Sequence, residues 1–187
     1  MTAAIAVRDV KQTFIVVMTD SLIGGDQDGN HPSIGPKLSI LGERLAIFSV
    51  GYGPNIHSEI RTMPISAANV RGVAEALRKT FFGRDEAYQF TLCVAGFQED
   101  RAVLLAVEFP SGIVSEPVPV AVAHPSNDAY SRLLSFSQDS SLEPDELCRK
   151  VHRMMLEAIE LDPKRIGPPI EAYLITQDGA RLWRPAA

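Results

Sequence analysis

Met1-Thr2-Ala3-Ala4-Ile5-Ala6-Val7-Arg8 and Phe14-Ile15-Val16-Val17-Met18-Thr19-Asp20 are two runs of apolar and β-branched residues on either side of a polar break, Arg8 to Gln12. In the first run Ile5 and Val7 alternate with small residues, and the second is almost continuously apolar, a pattern that predicts two strands joined as a hairpin. Such a hairpin would tie the start of the chain into a sheet, where most chain ends are loosely held. With Met1 trimmed, Thr2 would carry a hydroxyl and a free α-amine on one carbon skeleton, a nucleophile beside its own base.

Downstream of the hairpin, Ser21 to Pro36 is rich in Gly, Asp, Asn and Pro and is expected to be a loop without regular structure. Within it, Asp26-Gln27-Asp28-Gly29-Asn30 has the composition of a calcium loop. Starting that loop at Asp26 puts His31 at its glycine position and Lys37 at its bidentate glutamate position, so a bound cation would meet a like charge and the calcium reading fails. Leu45 to Gly51 reads as the next strand, and a turn at Gly51-Tyr52-Gly53 leads to a helix start at Pro54-Asn55-Ile56-His57. Ser66 to Phe82 is helical by the recurrence of Val70, Val73, Leu77 and Phe81. Tyr88 to Val107 gives two alternating segments split at Gln98-Glu99-Asp100-Arg101, and Phe109 to Ala123 gives further strands bent at Pro110 and Pro117. Ser126 to Phe136 and Glu143 to Leu161 carry helical periodicity, the second opening on Pro144-Asp145-Glu146, acids where a helix dipole favours them. Ala172 to Thr176 and Ala180 to Trp183 form a last hairpin across Gln177-Asp178-Gly179. The order is strands, helices, strands, two helices, strands, which is α+β with segregated helices.

The chain of 187 residues, 45% hydrophobic and 22% charged, fits a single domain spanning residues 1–187. A net charge of −5 without a Lys/Arg run argues against nucleic acid as a partner. No run approaches the roughly 18 apolar residues of a membrane span, and the N-terminus lacks a basic region followed by an apolar core, so neither membrane insertion nor a signal peptide is expected and a cytoplasmic location is. Cys93 and Cys148 read as reduced packing residues. His31, His57, His124 and His152 are scattered without helical pairing, so no metal cluster is expected, and no P-loop, dinucleotide fingerprint or nucleophile elbow is present. No cofactor is implied.

Thr2 to Arg8, Val16-Val17-Met18-Thr19-Asp20 and Pro36-Lys37-Leu38-Ser39-Ile40-Leu41, taken in that order, resemble the proteasome β-subunit type of N-terminal-nucleophile hydrolase, nearest to the bacterial ring protease HslV and the small bacterial proteasome homologues. The likeness runs on through Ser126 and the Gly167-Pro168-Pro169-Ile170 turn and so covers most of the chain. It implies a four-layer αββα sandwich, two antiparallel sheets face to face with helices on both outer sides. It also implies a threonine peptidase of unfolded protein or peptides, active inside a homo-oligomeric ring, and leaves room for an ATPase unfoldase as partner.

The same resemblance assigns roles. Thr2 is the nucleophile, Lys37 the cation that lowers the energy of its alkoxide and keeps the amine neutral, and Asp20 the carboxylate that orients Lys37. Ser126 aligns with a serine that helps move the amine's proton, although here it lies between Pro125 and Asn127 where the family has glycines, and a helix N-cap accounts for it equally well. Asp162 aligns with a second carboxylate, at a longer distance from Gly167 than the pattern has and with Ile166-Gly167 in place of Ser-Gly. Gly51, with Gly53 as competitor, would donate the oxyanion-binding N–H. Ala3 beside Thr2 and the departures around Ser126 and Asp162 fit a second reading, a catalytically silent assembly or interaction protein. An amidase of small molecules with the same nucleophile is a third.

Overall fold

The Ala4–Arg8 strand (β1) and the Phe14–Asp20 strand (β2) pair antiparallel, from Ala4 opposite Thr19 to Arg8 opposite Ile15, as the alternation of the sequence predicts. The computed structural model describes residues 3–23, 33–35, 37–52, 57–63, 69–83, 89–115 and 118–185. Every residue of β2 is buried, which explains why its sequence runs apolar from Phe14 to Met18 before it ends in the polar Thr19 and Asp20. The polar break between the strands is a turn built on one side chain. The buried Asp9 carboxylate accepts from the backbone N–H groups of Lys11, Thr13 and Phe14 and from the Thr13 hydroxyl, while Gln12 takes a left-handed φ of 59°.

The remaining strands in chain order are Leu22–Ile23 (β3), Ser33–Ile34 (β4), Leu38–Leu41 (β5), Leu45–Tyr52 (β6), Gln89–Gln98 (β7), Arg101–Phe109 (β8), Ile113–Val114 (β9), Val120–Ala123 (β10), Ile170–Thr176 (β11) and Gly179–Leu182 (β12). The helices are His57–Thr62 (α1), Val70–Phe81 (α2), Ala129–Gln138 (α3) and Pro144–Leu161 (α4). One antiparallel five-stranded sheet has the order β10-β1-β2-β11-β12, and a second has the order β5-β6-β7-β8-β9. The architecture is therefore α+β, with two antiparallel sheets and four helices among the described residues. No helix of the described residues is long and apolar enough to cross a membrane.

Alternation along β1 divides its side chains between two cores. Ile5 and Val7 join Val16 and Met18 of β2 in a buried cluster with Leu133 of α3 and Val151 and Met155 of α4. The small residues between them, Ala4 and Ala6, belong with Ile15 and Val17 to a cluster that includes Ala46, Phe48, Cys93 and Leu104 of the second sheet. The other face of that sheet, with Ile47, Leu92 and Leu105, is buried with Ile60 of α1 and Val73, Leu77 and Phe81 of α2. Cys93 and Cys148 are both buried and unpaired.

Four expectations need correction. Ser21 to Pro36 is not wholly irregular, since β3 and β4 pair as a small ribbon, Leu22 opposite Ile34; residues 24–32, and with them the rejected calcium loop, lie outside the described residues. Gly51 lies inside β6, opposite Phe90, and not in the turn after it, because the strand continues to Tyr52. Helix α2 starts at Val70, where the Asn69 side chain accepts from the Gly72 N–H, and residues 64–68 are not described. Helix α3 starts at Ala129, three residues after Ser126, with Asp128 at its N-cap position.

Candidate active site

Asp20, the last residue of β2, is wholly buried, and its two oxygens meet four donors. Oδ1 accepts from the Ala3 N–H at 2.9 Å and from Lys37 Nζ at 2.8 Å. Oδ2 accepts from the N–H groups of Leu22 at 3.2 Å and Gly167 at 3.3 Å. Ionised carboxylates offer about four lone-pair positions, so this one is fully used. It joins the start of β1, the residue before β5 and the loop between α4 and β11. The same places are laced by backbone bonds from Asp20 N to Ala3 O at 3.0 Å and from Ser21 N to Gly167 O at 3.3 Å.

Lys37 stands immediately before β5 and is only 6% exposed. Burial, the larger effect, pulls its pKa below the usual lysine value, and the hydrogen bond and charge of Asp20 push it back up. Because Lys37 Nζ and the Ala3 amide share Oδ1, they lie within two hydrogen-bond lengths of one another. The expected pair of Asp20 and Lys37 is thus brought together beside the beginning of β1. Thr2, the expected nucleophile, lies outside the described residues.

Ser126 and Asp162 are placed differently from Asp20 and Lys37, and no hydrogen bond joins them to that pair among the described residues. The Ser126 hydroxyl donates to the Asp128 carboxylate, and the Ser126 N–H donates to His124 Nδ1 at 3.0 Å. A ring nitrogen that accepts this bond is unprotonated, so the His124 proton is on Nε2, which donates to the Met154 carbonyl at 2.8 Å. Ser126 is therefore not the helix N-cap, since its hydroxyl is turned to Asp128. The β1–β10 register, which ends at Ala4 opposite Ala123, still brings this group to the Ala3 end of β1. Asp162 caps the end of α4: its N–H donates to Ala158 O, its carbonyl accepts from Arg165 and Ile166, and its carboxylate lies 3.9 Å from Arg165 Nη1. It shapes the turn that delivers the Gly167 amide to Asp20.

Gly51 is on the part of β6 beyond Phe48, where pairing with β5 stops. Alternate backbone groups of Ser49 to Tyr52 that point to that side have no strand partner among the described residues, which is the condition an oxyanion donor needs. Gly53 is not described.

Two contributors escape a reading of side-chain types. The Gly167 donation comes from a backbone amide and leaves no mark on composition. His57, the first residue of α1, is 2% exposed and lies between two hydroxyls, Ser39 Oγ at 3.1 Å from Nδ1 and Ser49 Oγ at 3.1 Å from Nε2. It links β5, just after Lys37, to β6, just before Gly51. Burial, then the charges of Arg61 and Lys37, bring its pKa down to about 4.

A histidine depressed from 6.5 to about 4 binds its proton in the unfolded chain before it does so in the folded one. Its contribution is complete above pH 6.5 and is lost as the pH falls to about 4, at about 1.4 kcal/mol per pH unit and about 3 kcal/mol in all. Urea titrations across this range should show stability falling more steeply in the wild type than in His57→Gln, the difference between the two approaching that slope. Equal slopes would mean that His57 protonates freely in the folded protein.

No family model and no curated protein matches the sequence.

Proposed function

We propose that the chain is an N-terminal-nucleophile hydrolase of the proteasome β-subunit type, a threonine peptidase whose nucleophile is Thr2 once Met1 is removed. The single observation that carries this reading is the buried Asp20 carboxylate holding Lys37 Nζ and the Ala3 amide on one oxygen. Ala3 is bonded through that amide to Thr2, and in this reading the Thr2 hydroxyl ionises near the desolvated Lys37 cation that shares the Asp20 oxygen with the Ala3 amide. The three core clusters, helices with sheet, sheet with sheet and sheet with helices, support the four-layer αββα arrangement that this activity belongs to.

In the proposed reaction the Thr2 amine takes the proton from Thr2 Oγ1 as that oxygen attacks the peptide carbonyl carbon. Lys37 lowers the energy of the alkoxide, and a β6 amide, Gly51 being the candidate, binds the carbonyl oxygen as it becomes an oxyanion. The C–N bond then breaks, and the leaving amine takes the proton held by the Thr2 amine. Water, deprotonated by the same amine, attacks the resulting ester, the bond from the acyl carbon to Oγ1 breaks, and the amine returns its proton to Oγ1 as the carboxylic acid product leaves. Ser126 assists proton movement at the amine in this scheme, and Asp162 acts through the turn that carries Gly167. An unspecific nucleophile of this kind is safe when it is enclosed, which is the reason for proposing a homo-oligomeric ring that admits unfolded chains, with an ATPase unfoldase as the partner that would supply them.

One observation favours the second reading, a silent assembly protein: the Ser126 hydroxyl is already given to Asp128. Hydrolysis of an unstructured protein or a short fluorogenic peptide separates the two. The peptidase reading predicts activity in the wild type and none in Thr2→Ala, with oligomeric state and folding unchanged. Equal turnover by both proteins, or none by a wild type whose N-terminal residue is Thr2, would contradict it.

A further inference from the structure

The pairing of β5 with β6 runs from Leu41 opposite Leu45 to Leu38 opposite Phe48, and one further step would set Lys37 opposite Ser49. Beyond Phe48 the strand β6 is held on one side only, by β7. Gln98 and Arg101 close the two-residue turn between β7 and β8 and so exchange hydrogen bonds, and antiparallel alternation carries that pattern across the sheet. Odd-numbered residues of β7 therefore bond to β6, through Phe48, Val50 and Tyr52. The N–H groups of Ser49 and Gly51 are turned the other way, to the free edge that Lys37 borders.

A strand end held on one side needs a second restraint if its free amides are to keep their positions, and α1 supplies one. Ile60 is buried with Ile47 and Leu92 on the helix-covered face of the sheet, and Arg61 Nη2 donates to the Leu38 carbonyl at 3.5 Å. From this seat His57 reaches both strands, with Nδ1 3.1 Å from Ser39 Oγ and Nε2 3.1 Å from Ser49 Oγ. Ser39 lies two residues after Lys37, and Ser49 two before Gly51. The ring thus spans β5 and β6 where their backbone pairing ends. Burial and the charges of Arg61 and Lys37 keep it neutral, and a neutral imidazole gives one hydrogen bond and takes one, so both nitrogens are used. Neither hydroxyl has another hydrogen bond among the described residues.

We propose that His57 is a positioning residue of the hydrolytic site, a bridge from β5 to the free end of β6 that holds the Gly51 amide in place relative to Lys37. The role rests on the peptidase reading, since Gly51 and Lys37 are the groups which that reading aims at the oxyanion and the alkoxide.

Two variants cut the bridge. His57→Phe keeps a ring and removes both nitrogens, and Ser49→Ala, at a half-buried position, removes only the β6 end. Each should lower kcat for a fluorogenic peptide by about tenfold or more with a smaller change in KM, because a misplacement of about 1 Å costs up to about a hundredfold. The two effects should not add: the double variant should be no slower than His57→Phe, since the second change removes a bond already lost. Ser137→Ala, which removes the bond of a buried hydroxyl to the Arg8 carbonyl, should leave kcat unchanged. Hydrogen exchange supplies a readout that needs no activity. The Val50 and Tyr52 amides should exchange about tenfold faster in His57→Phe than in the wild type, and those of Ile15 to Val17 in β2 at the same rate in both. Wild-type kcat in a folded His57→Phe, additive losses from the two substitutions, or unaltered exchange at Val50 and Tyr52 would overturn the role. Faster exchange at those amides, found with no hydrolysis by a wild type that begins at Thr2, would establish the bridge and refute the peptidase reading, and with it the part of His57 in catalysis.

Discussion

Asp20→Asn is expected to lower folding stability by about 3–5 kcal/mol, the scale of breaking a buried charge pair by removing one partner. The substitution is nearly isosteric, so packing is not the cause. Asp20 meets only donors: two on Oδ1, from Ala3 and Lys37, and two on Oδ2, from Leu22 and Gly167. An asparagine keeps one oxygen and turns an NH₂ group toward the other pair of donors. If the amide group faces Ala3 and Lys37, a buried ammonium loses its counter-charge; if it faces Leu22 and Gly167, two buried amides lose their acceptor. Either way the start of β1, the entry to β5 and the loop before β11 lose their common anchor. Denaturant melts of Asp20→Asn against wild type check this, and a loss below about 1 kcal/mol, the worth of one ordinary hydrogen bond, would show that the carboxylate is not needed to hold these segments.

Lys37→Met should divide the effects the other way. Methionine fills most of the volume of the lysine stem, and Asp20 retains three backbone donors, which stabilise a buried carboxylate without a cation. The fold should therefore survive with a smaller loss than in Asp20→Asn. Peptide hydrolysis should fall by about a hundredfold or more, the usual loss when a group that stabilises developing charge is removed. Steady-state kinetics should show the loss in kcat more than in KM, because the cation acts on the alkoxide and not on the bound peptide. A Lys37→Met protein that folds and retains wild-type kcat would remove Lys37 from the chemistry.

The hairpin of β1 and β2, the two-residue connection between β7 and β8 and the acid-led start of α4 were legible because each depends on nearest neighbours in sequence: alternation, a turn, a helix dipole. Asp20 and Lys37 were legible only through the spacing of a familiar pattern, since nothing in their local sequence says that they meet. The misreadings have their own physical reasons. Pro125, Ser126, Asn127 and Asp128 are all residues that precede helices, so the start of α3 could not be fixed among them. The β3–β4 ribbon is two residues per strand, too short for alternation to register. Asp9 looked like part of a polar break because its four donors are arranged by the turn that it creates. His57 looked isolated because its partners, Ser39 and Ser49, are neighbours only once β5 and β6 have paired.

The central claim is that Thr2 is a nucleophile with its own amine as base, and covalent trapping tests it most directly. A peptide epoxyketone needs both the hydroxyl and the free amine of one residue to close its ring, so it reports the proposed pair and not general reactivity. Mass spectrometry of the intact protein first establishes that its N-terminal residue is Thr2, and peptide mapping after incubation then locates any adduct. The account predicts one adduct per chain, on Thr2, in the wild type, and none in Thr2→Ala. A folded wild type that begins at Thr2 and takes up no reagent, or an adduct that forms equally in Thr2→Ala, would contradict it.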